Sequence, residues 1–158
     1  MNILIAEVAF RLPTICLLEA QSKHRPNSFA YLFAWSSPML EGIFGACHFL
    51  EIPFIFNTID APGMGEFTGG GPEAIALSEK MMDSWIAFAR AGSPNHKEIP
   101  EWASYNVNTR TTMFFGKEVK TVDAPFDKER AAWDGLLEIY FFKLIFFKFK
   151  KNDCLLHL

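Results

Sequence analysis

The sequence has few cysteines, no surplus of positive charge and no long apolar run, and each shortage removes a class of function. Three cysteines (Cys16, Cys47, Cys154) are too few and too far apart for a disulfide framework or a metal knuckle. The four histidines show no His-x-x-x-His spacing, and no Cys-x-x-Cys occurs, so neither a metal nor another cofactor is expected. Fifteen Lys+Arg against 18 Asp+Glu leave a net charge of −3, which argues against nucleic acid as a partner. No run approaches the roughly 18 apolar residues that cross a bilayer. Glu7 interrupts the apolar start, and neither a basic segment nor a small-residue cleavage site frames it. A secretory leader is therefore not expected, and a cytoplasmic location is.

What is present is an aromatic surplus, with 17 Phe among 158 residues, half of which are apolar. Such a length and composition suit one globular domain. Pro13 to about Ser22 reads as a helix, with Pro in its first turn. Phe29 to Trp35 is apolar throughout and does not alternate, the pattern of a strand buried on both faces. A long loop follows with Gly42, Gly45 and His48. Ile52 to Phe56 is a short apolar segment and a strand candidate that Pro53 keeps out of a sheet centre. Residues 60–72 read as a Gly- and Pro-rich loop. The clearest helix runs from about Glu73 to Ala91, with Ala74, Leu77, Met81, Trp85 and Phe88 in one stripe and Gly92 as its cap. Thr111–Phe115 and Val119–Val122 flank Gly116-Lys117-Glu118 as a hairpin. A last helix is expected from Asp127 to about Glu138.

Nucleophilic chemistry has little support in these residues taken alone. None of the eight serines lies in a Gly-x-Ser-x-Gly frame. Cys47 adjoins His48, but catalytic pairs meet in space rather than in sequence, so Cys47 reads as a buried structural thiol. Thr68-Gly69-Gly70-Gly71-Pro72 lacks the Lys-Ser/Thr of a phosphate loop and the His of an oxyanion-hole HGGG element. His48 differs by its setting, a Gly-rich loop shortly after a buried strand, where open α/β sheets place reactive groups.

Gly45-Ala46-Cys47-His48-Phe49-Leu50-Glu51-Ile52-Pro53-Phe54-Ile55-Phe56 resembles the histidine segment of the type B carboxylesterases, the para-nitrobenzyl-esterase-like and cholinesterase-related α/β-hydrolases. The likeness runs on in order. Phe10-Arg11-Leu12-Pro13, Glu19-Ala20-Gln21 and Tyr31-Leu32-Phe33-Ala34-Trp35 precede that segment. After it come Phe67-Thr68-Gly69, then Ser84-Trp85-Ile86-Ala87-Phe88-Ala89-Arg90, Pro94-Asn95, Pro100-x-Trp102, and Glu129-Arg130-x-x-Trp133. The resemblance covers roughly residues 7–134. It implies an α/β fold, the C-terminal part of an α/β-hydrolase: last large strand, His loop, packing helix, small hairpin and terminal helix. It also implies a small carboxylic ester as substrate and His48 as the general base of a Ser-His-acid mechanism. Glu51 is either a buried group that shapes the His loop or a structural carboxylate, and it is not the acid of that mechanism.

The resemblance places the nucleophile, oxyanion hole and catalytic acid upstream of the region present. The chain thus reads as a truncated product, inactive alone, whose partner is a missing N-terminal esterase segment. Residues 1–138 form the esterase part. Residues 139–158 form an unrelated tail with five Phe and four Lys. Omitting residues 143–158 leaves 11 Lys+Arg against 17 Asp+Glu, a charge of −6. The tail reads as translated A/T-rich non-gene sequence in preference to a basic, aromatic membrane-surface segment. Two alternatives to ester hydrolysis stay open: a non-catalytic interaction module, and a peripheral membrane protein held by the tail.

Overall fold

In the computed structural model, which describes residues 6–25 and 27–134, Pro13 lies in the first turn of helix α1, Leu12–Ser22. Its missing N–H would have found no partner there. A π-helical turn, Glu7–Arg11, leads into α1. A 2.7 Å ion pair between Glu7 and Arg11 spans that turn. The chain divides into two compact units, Met1–Pro125 and Phe126–Leu158.

The first unit holds a three-stranded sheet in the order β1-β2-β3. Strand β1 (Ala30–Phe33) pairs in parallel with β2 (Thr112–Phe115), Ala30 opposite Thr112 and Phe33 opposite Phe115. Strand β3 (Val119–Val122) pairs antiparallel with β2, the expected hairpin. Gly116 opens its turn because the strands crowd there. A Cβ on Gly116 would lie 3.3 Å from that of Ala34, closer than ordinary packing allows.

The segment Ile52–Ile55 is a helical turn, α2, and not a strand candidate. Pro53 sits in its first turn, the one helical place where a proline loses no hydrogen bond. The 60–72 loop likewise contains a helical turn, α3 (Met64–Thr68), bracketed by Gly63 and Gly69 in left-handed backbone at φ 83° and 87°. Only residues without a Cβ adopt that conformation freely, so the same glycines that mark a loop also delimit the helix.

Helix α4 spans Gly71–Ala91, and Gly92 caps it as expected, with φ 70° and its N–H on the Phe88 carbonyl. Its buried face is Ala74, Leu77, Ser78, Met81 and Ser84, whereas Ile86 and Phe88 are exposed. Two serines therefore share the buried face with the apolar residues, while Trp85 packs against the core from its edge. Each satisfies its hydroxyl on a carbonyl, Ser78 on Phe54 at 2.9 Å and Ser84 on Lys80 at 2.9 Å. The Ser78 bond joins α4 to α2. Ser78→Ala removes the donor from a buried carbonyl and is expected to cost about 1–3 kcal/mol. Urea unfolding of the two proteins measures it, and an unchanged midpoint would show the bond to be dispensable.

The core of this unit is aromatic. Trp102 meets Phe115 at 5.5 Å and Phe29 at 5.9 Å, while Phe54 meets Phe33 at 5.2 Å and Trp35 at 5.6 Å. Phe54, Met81, Met113 and Phe115 are completely buried. The indoles also hydrogen-bond, Trp35 to the Thr68 carbonyl at 2.7 Å and Trp102 to the Ala30 carbonyl at 3.0 Å. Much of the Phe surplus is thus structural packing. In the second unit, α5 (Asp127–Ala131) carries Arg130 between Asp127 at 2.7 Å and Asp134 at 2.9 Å. The helix expected as far as Glu138 ends at Ala131 and is followed by turns at 132–134, and the 139–158 tail lies outside the described residues.

Candidate active site

His48 stands on the loop that follows β1, and the loop's anchors explain its position. Where β1 ends, the Ser37 N–H bonds the Gly45 carbonyl at 2.9 Å, closing residues 38–44 into an excursion. The Ser37 hydroxyl bonds the Phe67 carbonyl at 2.6 Å, fixing the base of the excursion to α3. The chain then turns at 47–50, with the Leu50 N–H on the Cys47 carbonyl at 3.2 Å. Leu50 is completely buried and Cys47 packs against the core, so His48 and Phe49 are the residues left outward. Cys47 sits where a structural thiol belongs.

Phe49 has φ 70°, the left-handed region. For a non-glycine residue this costs on the order of 1–2 kcal/mol. The bend brings the Phe49 ring to 4.0 Å from the imidazole of His48, and Phe10 lies 5.8 Å away. His48 is exposed and makes no hydrogen bond to any described residue. Among the described residues the imidazole is held by ring contacts alone, which keeps both nitrogens open to an incoming group.

Glu51, three residues on, is half-buried and directly precedes α2. Among the described residues it makes no hydrogen bond to His48. Its carboxylate is felt at Tyr31, whose hydroxyl is pushed above its ordinary value by burial first and by the Glu51 charge second. Tyr31 therefore stays a neutral phenol over the whole working pH range.

One serine–histidine contact had no signal in the sequence. The Ser84 hydroxyl is 3.0 Å from His96 Nε2. The pair is wired the wrong way for catalysis. His96 Nδ1 accepts from the Glu98 N–H at 3.4 Å, so the ring proton is on Nε2. That N–H faces the Lys80 carbonyl at 3.1 Å and Ser84 Oγ at 3.0 Å. Ser84 itself donates to Lys80 and is completely buried. A base must accept the hydroxyl proton, and this nitrogen already carries one. Cys16 is no better placed as a nucleophile, because burial first and Glu19 second push its thiol up, away from the reactive thiolate. Among the described residues, no three His, Cys, Asp or Glu side chains are grouped so as to hold a metal ion.

The match to the Carboxylesterase family covers residues 1–133. The chain belongs to that family. A phenmedipham hydrolase of Pseudarthrobacter oxydans is 33% identical over 91 residues, 56% of this chain and 18% of that protein. The para-nitrobenzyl esterase of Bacillus subtilis (strain 168) is 28% identical over 130 residues, 80% of this chain and 25% of that one. A solved para-nitrobenzyl esterase superposes with a TM-score of 0.71 at 28% identity, covering 80% of this chain and 26% of its own. The chain thus spans about a quarter of the length of those esterases. Its described residues are part of an α/β-hydrolase fold of the type B class, and its lineage is that of the carboxylic ester hydrolases. No described helix is long and apolar enough to cross a membrane.

Proposed function

We propose that His48 is the general base of a serine-type hydrolysis of small carboxylic esters, and that residues 1–158 alone turn such esters over poorly. The observation that carries the reading is the isolation of His48. It is exposed on the loop after a parallel strand, and no described hydroxyl or carboxylate engages it. In this lineage the imidazole takes the proton from an attacking serine hydroxyl as its oxygen bonds the ester carbon. It then returns that proton to the departing alkoxide, and repeats the exchange with water to release the acid. An imidazole with no nucleophile and no oxyanion donors has nothing to activate. The side chains that would choose the acyl and alcohol groups, and those that would complete the mechanism, belong to the three-quarters of the relatives this chain does not cover.

Hydrolysis of para-nitrophenyl acetate by the purified chain is the test. The expected rate is no greater than that of free imidazole at the same concentration. Turnover far above imidazole and lost in His48→Ala would overturn the expectation of a poor catalyst and place a nucleophile within the chain.

A further inference from the structure

We propose that Phe49 is a positioning residue for His48, its ring held against the imidazole so as to fix the orientation that the base needs. This rests on the reading of His48 as the base. Phe49 stands at φ 70°, in the left-handed region. Glycine adopts that conformation freely and a residue with a Cβ does not. Such an outlier persists only where its surroundings over-determine it. Here they do. Leu50, directly after it, is completely buried, and Cys47 packs against the core two residues before it. The Leu50 N–H bonds the Cys47 carbonyl at 3.2 Å, and the Ile52 N–H bonds the Phe49 carbonyl at 3.2 Å. The bend at residue 49 is thus enforced by its flanks, and a glycine would serve it better than a phenylalanine.

Burial does not account for the ring either, since Phe49 is 61% exposed. Among the described residues it makes one ring contact, with His48, the centroids 4.0 Å apart and the planes tilted by 45°. Adjacent side chains in an extended segment point to opposite faces. The left-handed backbone at the second of these two residues is what lets them meet. What the contact supplies is order at the imidazole. No described residue hydrogen-bonds His48, and an exposed side chain so placed samples its staggered χ1 wells. The other ring contact, Phe10 at 5.8 Å, is looser. A general base must stay within hydrogen-bond reach of the proton it takes. A misplacement of about 1 Å at a reacting group can cost on the order of a hundredfold in rate. A ring packed 4.0 Å away restricts the wells without occupying either nitrogen, so the base is oriented and still able to accept a proton.

The experiment is NMR of the full chain with labelled histidine. The Hα–Hβ couplings of His48 read its χ1 populations, and thermal unfolding is followed in parallel. The unaltered chain is expected to favour one His48 rotamer over the other two by at least about tenfold. Phe49→Gly is expected to abolish that preference, while the melting temperature stays the same or rises because glycine suits φ 70°. Phe49→Tyr keeps a ring on the same backbone and is expected to keep the rotamer. A merely structural Phe49 gives the opposite pattern, a lower melting temperature in Phe49→Gly with the His48 rotamer unchanged. That result overturns the proposal. So does a His48 averaged among rotamers in the unaltered chain, or one as averaged in Phe49→Tyr as in Phe49→Gly. No turnover enters the measurement. Ester hydrolysis that is indifferent to His48→Ala therefore sinks the role of His48 as the base and leaves the ordering of its imidazole by Phe49 standing.

Discussion

Phe54→Ala is expected to cost about 3–5 kcal/mol of stability, the range for deleting a fully buried aromatic ring. Phe54 is completely buried. Its ring touches Phe33 and Trp35, so one side chain links β1, the chain after it and α2. Removing the ring leaves a cavity that two rigid aromatic walls cannot collapse around, and the upper end of the range applies. For a domain whose total stability is on the order of 5–15 kcal/mol, this is a large fraction. Phe56→Ala is the control. Phe56 is 68% exposed, and its loss is expected to change stability by less than about 0.5 kcal/mol. Urea midpoints of the two variants decide the matter. Equal shifts would mean that the segment is extended, with both rings on one face.

The same pair shows where the sequence was legible and where it was not. Alternation in a strand puts residues 54 and 56 on one face, whereas a helical turn rotates them about 200° apart. Ile52-Pro53-Phe54-Ile55-Phe56 is apolar at nearly every position, so it carries no period that could separate the two. Pro53 is as compatible with the first turn of a helix, where it lies, as it is at odds with a central strand. Other elements were legible: α1 from the proline that opens it, α4 from its apolar period and Gly92 cap, and the hairpin from the turn at Gly116. Helix α4 still hid its inner face. Ser78 and Ser84 look like surface residues until carbonyls of Phe54 and Lys80 are brought within 2.9 Å. A buried polar group is readable only through its partner, and partners 24 residues apart, such as Ser78 and Phe54, are set by the fold.

The candidate site divides in the same manner. The exposed loop position of His48 followed from glycines and from the strand before it. Its contacts with Phe10 and Phe49 did not, because one is 38 positions away in the chain and the other depends on a left-handed backbone that a phenylalanine rarely adopts. For Glu51 the sequence left two roles open. Its charge helps burial raise the Tyr31 hydroxyl, a coupling to a residue on β1 that spacing could not have indicated.

The largest effect expected of any single change concerns His48. The test is a covalent graft, in which residues 7–134 of this chain replace the matching region of Bacillus subtilis para-nitrobenzyl esterase, so that nucleophile and oxyanion donors are supplied in the same molecule. In that graft His48→Ala is expected to lower kcat by about 10⁴–10⁶, as loss of the base in a serine mechanism does. A factor of 10⁴ corresponds to about 5.5 kcal/mol of transition-state stabilisation. KM is expected to change little, because the imidazole acts on the proton in flight and not on the bound ester. Free imidazole, small enough to enter the vacated space, is expected to restore part of the rate. Glu51→Gln is expected to lower kcat by less than a hundredfold and to leave the shape of the pH profile unchanged, since Glu51 makes no hydrogen bond to His48. A His48→Ala graft within tenfold of its parent would remove His48 from the mechanism. A Glu51→Gln graft as impaired as His48→Ala would make Glu51 the group that orients the base.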